Sequence, residues 1–529
     1  MAVDPEKKRN SYEDDAVAVS ASPTPEHEAP QLEARQAAER RLLRKLDFRL
    51  LPTVVVIYLM NYIDRIAITA ARLKGLQTDL GLSDVQYDTV VAILYVSYCP
   101  AQIPSNMCNH WLKPFQLGGS QLYLQNGRRP SVIRRPTLYI GTCVVLWGLT
   151  SALTGATHNF AGITACRVFI GLPEAAFYPG AIYLLSRWYT RKELAFRSAI
   201  LYAGLLMSNA FGSFWAAGIL GNMNGVLGIA AWRWLFYIEG AITVFIGFQA
   251  MWLLPDYPHN TRWLSPAERH LAQVRLAEDA GEADKDSEQE SVFEGLKLAI
   301  KDPKVLTFML MCASQLLGLS FTNFFPTLVA TLGYSTTITL LVSAPPWVFA
   351  AIVTVINARH SDVTGERFFH QTGWWWVVII GYIISLSTMA TAGRYFSMFL
   401  MTVGYCGFTL TLVWVANAVP RPPAKRSAAI GLVNGFGNLG NLAGAYIWKA
   451  EWGPGYHQSM IIAICALAFA SFLSFVVRML LVRENKRMER EELDLMHGPE
   501  RERIEGAAKL EGITFEEAVR RRMGFRYLY

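Results

Sequence analysis

The sequence predicts an all-α membrane protein with about twelve transmembrane helices in two six-helix bundles. Three observations lead to this prediction. Of the 529 residues, 52% are hydrophobic and only 17% are charged, whereas a soluble protein carries roughly a quarter charged residues. Apolar stretches of about 20 residues, long enough to cross a bilayer, recur along the chain. The 15 tryptophans fit a protein with aromatic rings at many bilayer interfaces.

Twelve candidate spans follow one another, six before and six after a long polar loop. We place them at 48–68, 87–110, 136–155, 160–184, 197–220, 232–254, 305–329, 338–358, 373–391, 395–417, 428–448 and 458–481. The fourth and the eleventh are Gly-rich and weaker on hydropathy alone. This order predicts five regions: a cytoplasmic, largely disordered N-terminal tail at 1–46, a first bundle at 47–254, a linker loop at 255–304, a second bundle at 305–481 and a cytoplasmic C-terminal tail at 482–529.

The distribution of basic residues predicts which side of the membrane each loop occupies. Fourteen Lys and Arg lie in short loops on the side of the two termini, against five on the opposite side. Because loops rich in positive charge stay in the cytoplasm, we expect both termini and the linker there. Within the linker, Ser265 offers an N-cap, Pro266 the first helical position and Glu268 a capping-box partner, which predicts an amphipathic helix.

The two halves of the sequence resemble each other. Arg197-Ser198-Ala199-Ile200 opens the fifth span, and Arg426-Ser427-Ala428-Ala429-Ile430 opens the eleventh. Both segments continue into helix faces rich in glycine, with Gly204, Gly212 and Gly218 in the first and Gly431, Gly435, Gly440 and Gly444 in the second. Equivalent helices in two parallel halves are typical of a duplicated transporter. Small residues let helix backbones approach closely, which suits helices that rock against a partner and serves simple packing equally well.

Charge and cysteine patterns exclude several other classes of protein. The net charge of +7 does not indicate a nucleic-acid binder, because the basic residues fall in short groups between apolar runs. The seven cysteines are scattered singly, so we expect neither a disulfide framework nor a metal site. The sequence also shows no nucleophile–base pair and no phosphate-cradling loop. We therefore expect a protein that is not an enzyme, with no catalytic residue and no cofactor.

Ionisable residues inside the spans are the candidates for function, because each costs roughly a few kcal/mol in lipid. The first span carries Asp64 and Arg65, and the sixth carries Glu239. The fourth carries Arg167 and Glu174, whose separation of seven residues is close to two helical turns. These two side chains therefore share one helix face, about 10 Å apart.

The chemistry of these charges favours an anionic substrate. Two arginines in an aqueous cavity suit a carboxylate, because each offers a planar fork of hydrogen-bond donors. A carboxyl group in a low-dielectric site accepts a proton more readily, so Asp64 or Glu174 could take up and release a proton during a transport cycle. The alternative is structural: Asp64 pairs with Arg65 or Arg167, and Glu174 bridges two helices.

Short motifs in a fixed order extend over residues 45–529. In the first half they are Tyr58-Leu59-Met60-Asn61-Tyr62-Ile63-Asp64-Arg65, Gly81-Leu82-Ser83, Arg167-Val168-Phe169-Ile170-Gly171-Leu172-Pro173-Glu174 and Trp232-Arg233-Trp234-Leu235-Phe236. In the second half they are Phe325-Pro326, Leu332-Gly333-Tyr334-Ser335, Ser361-Asp362, Trp414 with Asn417, Lys425-Arg426 and Phe525-Arg526-Tyr527. In this order they resemble the major facilitator superfamily, and within it the anion:cation symporter family, especially its fungal allantoate and nicotinate permease-like branch. The resemblance implies two six-helix bundles around a central cavity.

The resemblance also implies roles for particular residues. In similar proton-coupled anion symporters, the arginines of the first and fourth spans contact the anionic substrate, and these are Arg65 and Arg167 here. The acids of the same two spans relay the proton, and these are Asp64 and Glu174. An asparagine of the tenth span, here Asn417, lines the same cavity.

The loop between the second and third spans departs from the family pattern. About 21 extra residues run from Pro114 to Arg134. They lie where the superfamily's Gly…Asp-Arg-x-Gly-Arg gating motif usually sits, and the segment carries no clean copy of that motif. A retained intron in the gene model is one explanation, and sequencing the transcript tests it. A genuine insert would impair the switch between the inward-open and outward-open states.

The sequence therefore predicts a secondary active transporter that takes up a small organic anion together with protons by alternating access. The expected substrate is a carboxylate of vitamin-like or allantoate-like kind. Two alternatives stay open: efflux of a secondary metabolite in exchange for protons, and a nutrient sensor with transporter architecture but no flux. The expected partners are the anion, protons and the lipid bilayer, and we expect no binding to nucleic acid. We expect a monomer. By resemblance, its location is the fungal plasma membrane, with the vacuolar membrane as the alternative.

Overall fold

The computed structural model describes most of the chain. The described residues are 25–111, 136–186, 188–255, 261, 263–281, 292–419, 423–497 and 527–529. The predicted insert at 114–134 lies outside them. So do the first 24 residues of the N-terminal tail and most of the predicted C-terminal tail.

The first half of the chain forms six long helices, with one short helix between the first two. In order, they are α1 (Pro25–Arg72), α2 (Leu76–Asp79), α3 (Asp84–Trp111), α4 (Pro136–Thr154), α5 (Phe160–Ser186), α6 (Arg191–Asn222) and α7 (Ala231–Leu253). The six long helices correspond to the six spans predicted for this half.

The start of α1 corrects one expectation. Residues 25–46 are helical, although their sequence predicts a largely disordered tail. Leu42, Leu46 and Leu50 follow one another at intervals of one helical turn and are fully buried. Burial of this leucine stripe holds the extension against the protein, because apolar side chains spaced by four residues share one helix face.

The linker contains two helices, and six spans follow it. The linker helices are α8 (Pro266–Gly281) and α9 (Val292–Lys301). The spans of the second half are α10 (Pro303–Gly318) with α11 (Phe325–Ala330), α12 (Thr336–Thr364), α13 (Phe368–Ser387), α14 (Thr391–Thr402) with α15 (Gly404–Ala418), α16 (Pro423–Gly437) with α17 (Leu439–Gly444), and α18 (His457–His497). Between α10 and α11 lies a 3-10 turn at Ser320–Phe324.

The predicted all-helical, two-bundle fold is confirmed. Twelve helical regions occur in the predicted order, and the described residues form helices and turns with no strand. Eight helices of the described chain are long and apolar enough to cross a membrane by length and composition alone. The other four described spans are α3, α5, α13 and the pair α16–α17, of which α5 and α16–α17 are Gly-rich in sequence.

The predicted capping box at the start of α8 is also present. The backbone N–H of Ser265 donates to Glu268 Oε2 at 2.9 Å, and the backbone N–H of Glu268 donates to Ser265 Oγ at 3.3 Å. Lys45 of α1 forms an ion pair with Glu268. Arg275 of α8 binds Glu193 of α6 at 2.6 Å. These two ion pairs hold the linker helix against the first bundle.

Each half repeats one ion pair between its first and fifth spans. In the first half, Arg197 of α6 donates to both carboxylate oxygens of Asp47 on α1, each at 2.8 Å. In the second half, Lys425 of α16 lies 2.8 Å from the Oδ2 atom of Asp302, which caps α10. These pairs lie at the ends of the spans on the side of the linker, which we call the terminal face. The repeated Arg-Ser-Ala segments thus occupy equivalent places in two similar bundles.

The halves meet along several helix pairs. Helix α6 packs against α12, and α3 packs against α16 and α17. Gln102 of α3 accepts a hydrogen bond from the side-chain amide of Asn434 at 3.2 Å. At the opposite end of the molecule, the far face, the hydroxyl groups of Tyr446 and Thr89 are 3.3 Å apart. These contacts enclose a space between the two bundles.

Candidate functional site

The main cavity lies between the two bundles, with about 710 Å³ of empty space, part of it continuous with solvent. Both halves contribute to its wall. The described lining is rich in hydroxyl and amide groups, with six tyrosines and five asparagines: Tyr58, Tyr62, Tyr95, Tyr98, Tyr202 and Tyr405, with Asn209, Asn323, Asn434, Asn438 and Asn441. These side chains can hydrogen-bond and stack on a small polar molecule.

Interrupted spans of the second half supply part of this wall. Thr322 and Asn323 lie in the 3-10 turn between α10 and α11. Tyr405 follows the junction of α14 and α15, and Asn438 lies between α16 and α17. Irregular backbone at membrane depth occurs where it lines a cavity, because water or a ligand can then satisfy the freed polar groups. The breaks in all three spans therefore coincide with the cavity.

Arg65 brings the one formal charge that the described lining carries. Its guanidinium carbon lies 4.8 Å from the ring centre of Tyr98, 5.0 Å from that of Tyr62 and 5.7 Å from that of Tyr95. These distances are within the range of cation–π attraction. The ring faces hold the planar guanidinium in place at the cavity wall, so its hydrogen-bond donors keep a fixed direction.

Glu174 of α5 neutralises this arginine. Arg65 Nε and Nη2 donate to Glu174 Oε1 at 2.9 Å and 2.5 Å. The side chain of Arg65 is 10% exposed and that of Glu174 is 2% exposed. The second carboxylate oxygen of Glu174 has no hydrogen-bond partner among the described residues. The pair is therefore buried, and the cation at the cavity is already matched by one acid.

Arg167 lies behind Arg65 rather than in the cavity wall. Its Nη2 atom donates to the backbone carbonyl of Arg65 at 3.1 Å, and the residue is 2% exposed. Its Nε and Nη1 groups have no partner in the described part of the chain. Arg167 and Glu174 both contact Arg65, as expected for two residues on one face of α5.

Asp64 occupies a separate site on the other side of α1. Ser151 of α4 donates its hydroxyl hydrogen to Asp64 Oδ1 at 2.9 Å, and Thr243 of α7 donates to Oδ2 at 2.8 Å. Asp64 is 2% exposed. Helices α4 and α7 approach closely at this point: a Cβ built on Gly240 would stand only 2.5 Å from the backbone N of Ala152. Close packing of the two helices thus brings two hydroxyl donors to one carboxylate.

Comparison with known proteins identifies the family. The profile described as "Major Facilitator Superfamily" matches residues 131–445. The chain belongs to that superfamily. It is 33% identical over 470 residues to "MFS-type transporter cnsO" of Penicillium expansum, and the matched region covers 85% of each chain. It is 29% identical over 469 residues to "Major facilitator-type transporter hxnP" of Emericella nidulans, with 86% of this chain and 88% of the relative covered.

A further relative agrees with this assignment, and two solved structures share the fold. The chain is 28% identical over 419 residues to a "Putative tartrate transporter" of Agrobacterium vitis, covering 77% and 84% of the two chains. A bacterial homologue of the human lysosomal transporter Spinster matches with a TM-score of 0.61 at 16% identity, over 82% of this chain and 97% of its own. The proton:xylose symporter XylE matches with a TM-score of 0.60 at 14% identity, over 82% and 96%. This member of the superfamily is therefore a multi-pass membrane transporter rather than an enzyme.

The cavity of this facilitator contains one of the predicted substrate-binding residues. Arg65 lines it, Arg167 lies behind Arg65, and Asn417 lies in the last turn of α15, outside the described lining. The acids predicted to couple protons lie in two places: Glu174 at Arg65, and Asp64 between α1, α4 and α7.

The asparagines of the cavity were missed by the sequence analysis. Asn434, Asn438 and Asn441 are spaced by four and three residues on the Gly-rich eleventh span, which places them on one helix face. When the two Arg-Ser-Ala segments are aligned in sequence, Asn209 of α6 corresponds to Asn438. This repeated amide on a small-residue face was the signal available in the sequence.

Proposed function

We propose that this transporter takes up a small organic anion together with protons by alternating access. The anion binds Arg65, and Glu174 carries the coupled proton. Arg167, with two buried N–H groups that lack partners among the described residues, is proposed as a second donor to the anion. We place the protein in the plasma membrane, with the terminal face in the cytoplasm and the far face outside the cell.

The ion pair of Arg65 with Glu174 is the observation that supports coupling. A substrate carboxylate and the Glu174 carboxylate compete for the same guanidinium. Adding a second negative charge to this buried site is costly unless one acid becomes neutral. Protonation of Glu174 removes its charge and frees Arg65 for the substrate. Anion binding and proton binding therefore favour each other, as linkage between two sites requires, and this coupling favours symport.

The remaining lining narrows the substrate class. Tyrosine rings offer apolar faces and hydroxyl groups, and the asparagines of α6 and α16 offer amide donors and acceptors. A compact carboxylate with a flat ring or several hydroxyl groups fits this chemistry. Tartrate, the compound in the name of the Agrobacterium vitis relative, is one such anion.

Uptake measured in cells that express the protein tests the proposal. The panel contains labelled nicotinate, pantothenate, biotin, allantoate and tartrate, at external pH 5 and pH 7.5. Wild type is expected to accumulate one class of anion faster at the acid pH, because protonation of Glu174 frees Arg65.

The variant Glu174→Gln is expected to abolish accumulation against a gradient while keeping exchange of labelled for unlabelled anion. Gln has the shape of the protonated acid and cannot release a proton. The matched control is Glu451→Gln, which changes an exposed acid at the far face. If the Glu174→Gln variant concentrates the anion as well as wild type does, coupling through Glu174 is refuted. If surface-expressed wild type accumulates none of the anions, the uptake proposal itself fails.

A further inference from the structure

A third buried acid, Glu239 of α7, takes no part in the site described so far. It is 1% exposed, and its Oε2 atom has no hydrogen-bond partner among the described residues. It borders a second, smaller cavity, whose wall includes Ala67 of α1, Ser213 of α6, and Pro326 and Leu340 of the second half. A buried carboxyl group with an unpartnered oxygen thus lies at a space where the two halves meet.

Asp64 is the neighbour of this acid. Thr243, one helical turn after Glu239 on α7, donates to Asp64 Oδ2 at 2.8 Å. Residues four apart share a helix face, so Glu239 also faces α1. Ile63, which precedes Asp64 on α1, lines the same small cavity as Glu239. The other polar side chains described around the pair, on α4 and α6, are neutral: the hydroxyl groups of Ser151 and Ser213 and the indole N–H of Trp147.

The surroundings of the two acids differ in one decisive way. Each oxygen of Asp64 accepts a hydrogen bond from a hydroxyl group, which stabilises a carboxylate. Glu239 has an oxygen without any such donor in the described structure, and an ionised carboxylate in that situation is costly. Two negative charges side by side in a low dielectric are costly as well. The lowest cost is therefore reached when the two acids hold one proton between them, with Glu239 protonated and Asp64 ionised.

We propose that Glu239 is a second proton-binding site, which shares one exchangeable proton with Asp64 and exchanges it with water in the small cavity between the halves. In the transfer step, the O–H bond of Glu239 breaks, an O–H bond forms on Asp64, and the negative charge moves to Glu239. Because Pro326 and Leu340 belong to the other half, relative movement of the halves changes the access of water to Glu239. The inference rests on the proposed proton coupling.

Infrared difference spectroscopy of the full chain in lipid vesicles, recorded during a pH titration, tests this site without a substrate. A protonated buried acid gives a carboxylic-acid C=O stretching band that an ionised carboxylate lacks. Wild type is expected to show this band near neutral pH, Glu239→Gln to lose it, and Glu239→Asp to keep it at a shifted frequency. In Asp64→Asn the Glu239 band is expected to vanish at a pH at least one unit lower, because the neighbouring negative charge is gone. Glu451→Gln, an exposed acid, serves as the control.

Two results would overturn the inference: a band that Glu239→Gln leaves intact, or a band that sodium ions remove at constant pH, which would indicate a cation site. Elution of each variant as a single peak in gel filtration shows that it is folded. The uptake assay separates this inference from the proposed function. A wild type that shows the Glu239 band but transports no anion contradicts the function alone. A wild type with pH-driven uptake and no such band contradicts the second proton site alone.

Discussion

Arg65 shows how neighbours fix the position of a charged residue in a membrane span and balance its charge. Three tyrosine rings surround its guanidinium, Glu174 neutralises it and Arg167 donates to its backbone carbonyl. An arginine offers a rigid, planar set of donors, whereas a lysine offers a compact charge on a flexible stem. The geometry of the fork, as well as its charge, therefore matters at this position.

We expect Arg65→Lys to raise the KM for the transported anion roughly tenfold to a hundredfold. The substituted ammonium keeps the charge but loses the two-point contact and the stacking on the tyrosine rings. Initial uptake rates over a range of anion concentrations measure the change. The matched control is Arg483→Lys on an exposed position of α18, which is expected to leave KM unchanged. An unchanged KM in the Arg65→Lys variant would show that Arg65 does not bind the anion.

At the scale of helices, glycine positions decide how closely the spans approach. Gly440 lies where α17 packs against α10, and a Cβ there would stand 2.0 Å from the backbone carbonyl oxygen of Ala313. Gly218, on the equivalent Gly-rich face of α6, is exposed and has no atom of the described chain within 4 Å of a built Cβ. Of these two small residues, Gly440 is the one that a helix contact requires.

We expect Gly440→Ala to destabilise the protein by about 1–3 kcal/mol, because the added methyl group must displace backbone atoms. Gly218→Ala is expected to leave stability unchanged or to raise it slightly, because alanine is the better helix former. Thermal melting followed by fluorescence-detected gel filtration compares the two variants. Equal melting temperatures would mean that α10 and α17 are not packed as described.

At the scale of the molecule, two similar bundles meet around one cavity. The ion pairs Asp47–Arg197 and Asp302–Lys425 repeat the same link in each half. Contacts such as that of Tyr446 with Thr89 join the halves at the far face. If the halves rock during transport, these far-face contacts must open in part of the cycle.

A double substitution, Gly221→Cys with Thr337→Cys, tests this motion. A Cβ on Gly221 would stand 3.1 Å from Thr337 Oγ1, so two cysteines there lie within reach of a disulfide. Oxidation is expected to stop uptake, and a reductant is expected to restore it, since the cross-link holds the far face closed. Each single cysteine variant is the control. Full uptake by the cross-linked protein would contradict rocking at this face.

The sequence determined the helical architecture and the identity of the charged residues. Apolar runs of span length must form helices in lipid, because each backbone polar group then finds its partner within the same segment. The cost of placing charge in lipid likewise indicated Asp64, Arg65, Arg167 and Glu174 as candidate functional residues. The helical start of α1 escaped prediction, because the stripe containing Leu42 and Leu46 is short and surrounded by charged residues.

Only the tertiary structure decided which of these charges meet. Arg65 follows Asp64 directly, yet neighbouring residues of a helix point in directions about 100° apart, so one faces the cavity and the other faces α4 and α7. Residues far apart in the chain then complete each site: Glu174 pairs with Arg65, and Ser151 and Thr243 bind Asp64. Hydrophobicity is a property of each segment, and the sequence records it directly. Pairing of side chains across helices depends on how the helices rotate and pack, which the whole fold sets.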